Sequence, residues 1–266
     1  MGKVGNILDL DGRVALVTGA GQGVGRQIAL HLASYNAGGV IVNDFYRERA
    51  EAVAAEVSEL GVDAMAAQAD VGDFKSVQAM VEAGTKKFGR IDILVNNAGN
   101  FGPDPAAVSF AKPFAQTEPA DWVPWLNVNM YGVLNCTRCV LPAMQQNHQG
   151  SIVTIISDAG RYGDAGSEVY AFAKAGAAGF MRSVARGMAR HGIRANSVAI
   201  ATTRTPTLEP ILKDEERTKK MLRLYPMHRV GEPTDVANMV LFLASNASSW
   251  VTGQTYPVNG GFTFSL

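Results

Sequence analysis

Three side chains have the types and spacing that proton transfer needs. Ser157 ends a short apolar run, and Tyr170 and Lys174 lie four residues apart in a later segment with a helical pattern. Residues four apart lie on one face of a helix, so the phenol and the ammonium group are expected to be neighbours. A free tyrosine has a pKa of about 10, but a nearby cation stabilises the phenolate and lowers that pKa. With Ser157 bonded to the same substrate oxygen, the three residues predict acid–base catalysis on an alcohol or a ketone.

A glycine-rich loop lies between the first apolar run and the first helical segment, and we call residues 18–25 the glycine loop. Glycines permit a tight turn and let backbone N–H groups approach a pyrophosphate, while the N-terminus of the next helix faces the negative charge. A dinucleotide is therefore the predicted ligand, and a glycine-rich turn without a ligand is the alternative. The predicted contacts are Gly19, Gln22, Gly23, Val24 and Gly25.

Asp44 ends the second apolar run and is expected to select the cofactor. A carboxylate at this place accepts hydrogen bonds from both ribose hydroxyls of NAD and repels the 2′-phosphate of NADP. Arg47 and Arg49 favour NADP instead, since either could pair with that phosphate. The sequence therefore favours NAD, with NADP as the alternative.

The third apolar run is followed by Asp70 and Val71, which we predict to meet the adenine. The alternative is structural: Asp70 or Asp73 caps the N-terminus of the next helix.

Apart from Tyr170 and Lys174, these residues lie near the ends of short apolar runs. Predicted strands cover 14–17, 40–42, 64–68, 91–95, 151–156, 195–200 and 254–258. Predicted helices cover 24–34, 46–60, 73–88, 121–147 and 167–191. This alternation indicates an α/β fold: one domain over 1–266 with a doubly wound parallel sheet, the Rossmann fold, and helices on both faces. Ligands then bind at the carboxyl ends of the strands. Two stretches look irregular, 100–119 and 202–230, and we call 202–230 the lid over the substrate.

Composition excludes several classes of protein. The 266 residues are 47% hydrophobic and 18% charged, which is too apolar for a disordered chain. Lys plus Arg and Asp plus Glu are equal in number, 24 each, so no net charge attracts nucleic acid or a membrane. No apolar run is long enough to span a bilayer, Met1–Leu10 does not resemble a secretory signal, and two cysteines suit a reducing compartment. We expect a cytoplasmic protein, without a metal site because the four histidines are scattered.

Further motifs make the chain similar to the short-chain dehydrogenase/reductase family over nearly its whole length. They are the glycine loop, Asn96-Asn97-Ala98-Gly99, Asn129, Ser157, Tyr170-x-x-x-Lys174, Arg229-x-Gly231-x-Pro233-x-Asp235-Val236-Ala237, Thr252-Gly253-Gln254 and Gly260-Gly261.

The resemblance implies four catalytic residues, Asn129, Ser157, Tyr170 and Lys174, with Asn129 holding a water in a proton relay through Lys174. It also implies that the cofactor is lined by Asn97, Ala98 and Gly99, with Tyr170 and Lys174 touching it as well. A homotetramer built partly from the two long helices is implied too.

One departure from the family pattern follows the sixth strand. The family usually has Pro-Gly where this chain has Ile200-Ala201. Thr205 still matches the threonine that the family places at the nicotinamide carboxamide, so we keep it as a cofactor contact.

The substrate is expected to be a bulky, apolar secondary alcohol or ketone. The segment 157–170 resembles dehydrogenases of cyclic hydroxyacyl-CoA thioesters, in which case Arg161 and Arg204 face the polar acyl-CoA groups. The alternatives are a 3-oxoacyl thioester reductase, a steroid or sugar alcohol dehydrogenase, an epimerase, and a non-catalytic dinucleotide sensor. The predicted apolar lining is Phe101, Phe110, Phe114, Tyr162, Leu208, Ile211, Met221, Leu224, Tyr225 and Met227.

Overall fold

The computed structural model describes residues 5–100 and 113–264. The strands are β1 Val14–Val17, β2 Gly39–Asp44, β3 Ala64–Gln68, β4 Ile93–Asn96, β5 Gly150–Ser157, β6 Ile193–Ile200 and β7 Thr255–Val258. The helices are α1 Gly23–Ser34, α2 Arg47–Glu59, α3 Phe74–Phe88, α4 Pro119–Leu126, α5 Gly132–Asn147, α6 Ala159–Tyr162, α7 Glu168–Met188, α8 Glu209–Leu212, α9 Glu215–Leu222 and α10 Pro233–Ala244. Short 3₁₀ turns cover Phe114–Gln116, Ala189–His191 and Asn246–Ser248.

The strands form one parallel sheet in the order β3-β2-β1-β4-β5-β6-β7. The order reverses between β1 and β4, because the chain first moves outward to β3 and then returns to the other side of β1. The helices that follow these two strands, α1 and α5, pack on opposite faces of the sheet, and the reversal leaves a crevice in which doubly wound folds bind dinucleotides. The predicted α/β fold with a doubly wound parallel sheet is confirmed.

A hydrophobic core lies on each face of the sheet, as the alternation of side chains along a strand requires. In β1, Ala15 and Val17 pack into the core beneath α1, α2 and α10, whereas Val14 and Leu16 pack into the core beneath α3, α5 and α7. Both faces of the strands are therefore apolar, which explains why the strands read as continuous apolar runs.

The structure differs from the predicted elements in three places. The predicted helix over 121–147 begins at Pro119 and contains a π-helical segment, Asn127–Tyr131, between α4 and α5. The lid is not irregular throughout, because Asp214 accepts a hydrogen bond from Arg217 N at 3.0 Å and caps α9.

Helix α10 was not predicted. Its sequence signal is a Pro at the first helical position and a capping box formed by Glu232 and Asp235.

The described helices are all too short or too polar to cross a bilayer. Among residues 5–100 and 113–264, no group of three or more His, Cys, Asp or Glu side chains is arranged to hold a metal ion.

Candidate active site

The loops after β1 and β4 are joined through Asn97. Its Nδ2 donates to Thr18 O at 2.9 Å and to Gly19 O at 3.0 Å, while Thr18 Oγ1 accepts from the N–H groups of Asn97 and Ala98, each at 3.1 Å. A Cβ on Gly19 would lie 2.8 Å from Ala98 Cα, and one on Gly25 would lie 2.3 Å from Gly19 O. Neither position has room for a side chain, so the first turn of α1 lies directly against the glycine loop.

The glycine loop continues between Asp44 and Thr205. A Cβ on Gly21 would lie 2.7 Å from Asp44 Oδ2, and one on Gly23 would lie 3.3 Å from Thr205 Cγ2. The bare backbone thus runs between a carboxylate on one side and a threonine on the other. This cradle fits a dinucleotide, and Thr205 lies beside it although Ile200-Ala201 replaces the usual Pro-Gly.

The other two residues predicted in the loop, Gln22 and Val24, flank the start of α1. Gln22 precedes the helix in extended conformation and is partly exposed, whereas the Val24 side chain is buried in the core.

Asp44 is held in a fixed orientation at the end of β2. Its side chain is only 6% exposed, Oδ2 accepts from Gly21 N at 3.0 Å, and Oδ1 accepts from Tyr46 N at 3.0 Å. The carboxylate is therefore part of the turn that joins the glycine loop to α2.

The two arginines that could receive a phosphate have other contacts. The Arg49 guanidinium lies over the Tyr46 ring, 4.4 Å from its centroid, and Arg47 Nη1 lies 3.8 Å from Glu51 Oε1 one turn along α2. Both contacts are at the protein surface, where such pairs contribute little stability and are easily exchanged.

Asp70 and Val71 lie at the end of β3. The cap of α3 is Asp73, whose Oδ1 accepts from Lys75 N at 3.1 Å, whereas Asp70 is exposed and accepts from Gly72 N at 2.8 Å. Val71 is buried, and a Cβ on Gly132 would lie 2.7 Å from its Cγ2. The Asp70 carboxylate thus remains accessible, while Val71 packs mainly against the start of α5.

Ser157, Tyr170 and Lys174 meet at the end of β5. The Ser157 hydroxyl is hydrogen-bonded to the Tyr170 hydroxyl, and Lys174 Nζ donates to Ile155 O at 3.1 Å. Lys174 Nζ lies 5.7 Å from the centre of the Tyr170 ring. Both side chains are buried, as the shared helix face of α7 requires.

Burial controls the pKa of both groups. It raises the pKa of Tyr170 to about 12, with the hydrogen bond from Ser157 acting in the opposite direction, and it lowers the pKa of Lys174 to about 8. The expectation of a lowered pKa for Tyr170 is wrong for this structure, because desolvation of the buried phenolate outweighs the hydrogen bond with Ser157.

Asn129 lies fully buried in the π-helical segment and joins the same group. Its Nδ2 donates to Trp125 O at 3.0 Å and to Asn100 Oδ1 at 2.9 Å. A Cβ on Gly99 would lie 3.0 Å from Asn129 Oδ1 and 3.3 Å from Lys174 Nζ. Gly99 thus marks the point where Asn129 and Lys174 converge, so the structure brings together all four residues expected to be catalytic.

Three neighbours of this site were not predicted: Asn100, Trp125 and Asp158. Asn100 holds the amide of Asn129 in place, and the Trp125 ring meets the Tyr170 ring edge to face at 6.1 Å. Asp158 is buried directly after Ser157. Adjacency in sequence to Gly99 and Ser157 was the available signal for Asn100 and Asp158, whereas the position of Trp125 depends on how α4 packs on α7.

The arginines expected to face acyl-CoA are paired with carboxylates of the chain. Arg161 is bonded to Asp158, and Arg204 lies 3.1 Å from Glu232 and 3.4 Å from Glu209.

The predicted lining is only partly described. Phe101, Phe110 and the Ile211 side chain lie outside the described residues, and Phe114 stacks on Trp122. Tyr162 and Tyr225 both contact Phe262, while Leu224 and Met227 are exposed.

Comparison with known proteins agrees with this geometry. A family model described as enoyl-(acyl carrier protein) reductase, of the short-chain dehydrogenase type, matches residues 19–263. The chain belongs to the short-chain dehydrogenase/reductase family. It is an oxidoreductase of that family, whose members bind a nicotinamide dinucleotide and act on small molecules.

Characterised relatives of this short-chain dehydrogenase/reductase differ in substrate. The chain is 38% identical to 3-oxoacyl-[acyl-carrier-protein] reductase of Staphylococcus aureus, over 93% of this chain and 96% of that protein. It is 36% identical to 7alpha-hydroxysteroid dehydrogenase of Escherichia coli, over 96% of this chain and 95% of that protein.

Solved structures in the family carry either cofactor. A 7alpha-hydroxysteroid dehydrogenase complexed with NADH and 7-oxo glycochenodeoxycholic acid is 36% identical, with a TM-score of 0.89 over 97% of this chain and 98% of that one. A gluconate 5-dehydrogenase from Burkholderia cenocepacia, complexed with NADP and tartrate, is 32% identical, with a TM-score of 0.88 over 98% of each chain.

The buried charge of Lys174 predicts a gain in stability when it is removed. We expect Lys174→Met to raise the free energy of unfolding at about pH 6.5 by roughly 1–3 kcal/mol while abolishing turnover. The folded pKa of about 8 lies below the ordinary 10.5, so below pH 8 both states of the wild type bind the proton and the folded state bears its full desolvation cost.

The same shift predicts how that gain depends on pH. Between about pH 8 and 10.5 only the unfolded state still binds the proton, so wild-type stability rises with pH relative to the variant. Urea unfolding at about pH 6.5 and 9.5 measures both effects, with exposed Lys86→Met as the control that should show neither. A less stable Lys174→Met protein at the lower pH would contradict the desolvation argument.

Proposed function

We propose that this chain is an NAD-dependent oxidoreductase that transfers hydride between a nicotinamide and a bulky, apolar secondary alcohol or ketone. The observation that carries the proposal is the convergence of Asn129, Ser157, Tyr170 and Lys174 beside the glycine loop. A bound nicotinamide supplies the hydride acceptor or donor, and we propose that the glycine loop, Asp44 and Thr205 hold the dinucleotide.

Tyr170 is the proposed proton donor and acceptor. With a pKa of about 12, its phenol is protonated at neutral pH and can donate to a ketone oxygen, which suits reduction. Ser157, already bonded to the phenol, donates to or accepts from the same oxygen. Lys174 then returns a proton to Tyr170. We propose that Asn129 holds an ordered water next to Lys174, from which Lys174 regains its proton.

Among the candidate substrates, we favour a 3-oxoacyl thioester or a hydroxysteroid over a cyclic hydroxyacyl-CoA. The two closely related enzymes named above act on those two classes by name, and Arg161 and Arg204 are already paired with carboxylates. A panel of 3-oxoacyl thioesters, oxosteroids, sugar ketones and cyclic oxoacyl-CoA esters, followed by nicotinamide absorbance, separates these substrates. The same assay excludes an epimerase or a non-catalytic sensor if net cofactor turnover appears. A cytoplasmic location stays a prediction from the sequence.

Replacing Tyr170 by Phe removes only the hydroxyl. We expect Tyr170→Phe to lower kcat by about 10²–10⁴, the usual contribution of general acid–base catalysis, with NADH affinity in a fluorescence titration unchanged. Tyr35→Phe is the matched control. It makes the same chemical change at the C-terminal end of α1, the end away from the glycine loop, and should leave kcat unchanged. Turnover of Tyr170→Phe near the wild-type rate would refute the assignment.

Asp44 is proposed to select NAD. Because two backbone N–H groups fix its carboxylate, it cannot turn away from a third phosphate, whereas Arg47 and Arg49 are exposed surface side chains. Repulsion at short range in a partly desolvated pocket predicts on the order of a hundredfold higher kcat/KM with NAD than with NADP.

Two variants test that preference. Asp44→Ala is expected to weaken NAD use and to reduce the ratio of the two kcat/KM values. Asp44→Asn keeps an acceptor for Gly21 N and should reduce the ratio with less damage to the loop. Asp73→Ala, which removes the cap of α3 instead, should leave the ratio unchanged. A wild-type enzyme that uses NADP better would show that the arginines dominate.

A homotetramer is proposed from the family resemblance. Tyr131 and Phe172, on the two long helical segments that the resemblance assigns to assembly, are 45% and 61% exposed in the single chain. Large exposed aromatic side chains are typical of surfaces that bury against a partner. Sedimentation velocity should give about four times the mass of one chain, and Phe172→Asp should lower that mass. A monomer at micromolar concentration would contradict the proposal.

A further inference from the structure

A buried carboxylate follows the catalytic serine. The Asp158 side chain is 2% exposed, yet it is charged and lies within one residue of Ser157. Its Oδ1 is bonded to the Arg161 guanidinium, and its Oδ2 accepts from Asn259 Nδ2 at 2.7 Å. Burying a charge is unfavourable unless the charge is paired and hydrogen-bonded, so the Asp158 carboxylate requires these partners.

The partners connect the carboxylate to the C-terminal residues, and we call 259–264 the tail. Arg161 Nη1 also donates to Thr263 Oγ1 at 2.9 Å, and Asn259 Nδ2 donates to Thr263 O at 2.9 Å. Asp158, Arg161, Asn259 and Thr263 therefore form one closed network. It joins the turn after β5, residues 157–163, to a segment about a hundred residues later in the chain.

The tail contacts the lid as well. The Phe262 ring stacks on Tyr225 of the lid at 5.0 Å and meets Tyr162 of the turn edge to face at 5.3 Å. Gly260 O accepts from Met227 N at 3.1 Å. The tail thus touches the catalytic turn on one side and the lid on the other.

We propose that Asp158 is a positioning residue for Ser157, acting through the tail. Ser157 is the last residue of β5, and its Oγ accepts from Ala159 N at 3.2 Å, so the path of the turn sets the direction of the hydroxyl. The turn has little regular structure of its own beyond the single helical turn of α6. Backbone contacts hold its start, where Asp158 N donates to Ile200 O at 3.0 Å, and the bonds from Arg161 and Asn259 fix the carboxylate next to Ser157. An error of about 1 Å at a reacting group can cost on the order of a hundredfold in rate.

This inference rests on the proposed function, because it assigns a role at the same site. A merely structural network would change stability and leave the rate of folded enzyme alone. A positioning role lowers kcat in enzyme that is folded and still binds NADH.

The test compares Asp158→Asn and Asn259→Ala with a matched control. Asn246 donates to Asp11 Oδ2 at 3.0 Å in the same kind of Asn–Asp pair away from the site, so Asn246→Ala is the control. We expect the two site variants to lose about tenfold to a hundredfold in kcat, with NADH affinity unchanged, and the control to lose nothing. Exchanging the two side chains, Asp158→Asn with Asn259→Asp, restores a carboxylate–amide pair and should recover at least part of kcat.

Amide hydrogen exchange gives a readout that needs no turnover. Asn259→Ala should increase exchange over 157–163, while Asn246→Ala should not. If one of these variants fails to fold, Thr263→Val takes its place in both assays, because it removes only one hydroxyl from the network. Full kcat in the folded site variants, no recovery in the exchanged pair, or unchanged exchange over 157–163 would overturn the inference. A wild-type protein inactive on every substrate would instead overturn the proposed function.

Discussion

The side-chain amide of Asn97 joins two loops that the strand order places side by side. Because β1 and β4 are neighbours, Thr18 and Asn97 leave the sheet together, and each satisfies backbone groups of the other loop. Polar groups in such a crevice must be bonded, since leaving them unpaired costs more than a formed bond contributes. With the glycine loop fixed in this way, its bare backbone runs between Asp44 and Thr205 at defined distances. The proposed cofactor cradle therefore depends on this amide, together with the bonds from Ala20 N to Asn43 O and from Gly21 N to Asp44 Oδ2.

The centre of the site contains two buried ionisable side chains, and burial destabilises the charged form of each. Lys174 and Tyr170 both lose solvent, and their pKa values move in opposite directions for the same reason, since water no longer stabilises the charged form of either. Asn129 is kept buried by the amide and carbonyl of Asn100 and by the π-helical segment that carries it. π-helical segments of this kind are frequent at functional sites. The function proposed for Lys174 and the stability of the fold are thus in opposition, as is common where activity requires a buried charge.

Three segments of the chain meet beside this centre. The chain shares more than a third of its aligned residues with enzymes named for 3-oxoacyl and hydroxysteroid substrates, and its fold matches that of a 7alpha-hydroxysteroid dehydrogenase over nearly the full length. The lid, the turn after β5 and the tail contribute Tyr225, Tyr162 and Phe262, which meet as one aromatic group. In the function proposed above, the sheet positions the reacting groups, while these segments, which contribute little to the sheet, shape the substrate site.

The sequence by itself determined the alternation of strands and helices, the glycine loop, and the pairing of Tyr170 with Lys174, because each depends on local periodicity or on spacing along one element. It also contained the capping box of α10, which follows local rules although the helix was not predicted. Only the tertiary structure decided the contact of Trp125 with Tyr170, the pairing of Arg161 with Asp158, and the bond from Asn259 to Asp158. The tertiary structure also decided the raised pKa of Tyr170, because desolvation depends on everything packed around the phenol. Spacing places two groups on one helix face, but burial and long-range hydrogen bonds come from how distant segments pack.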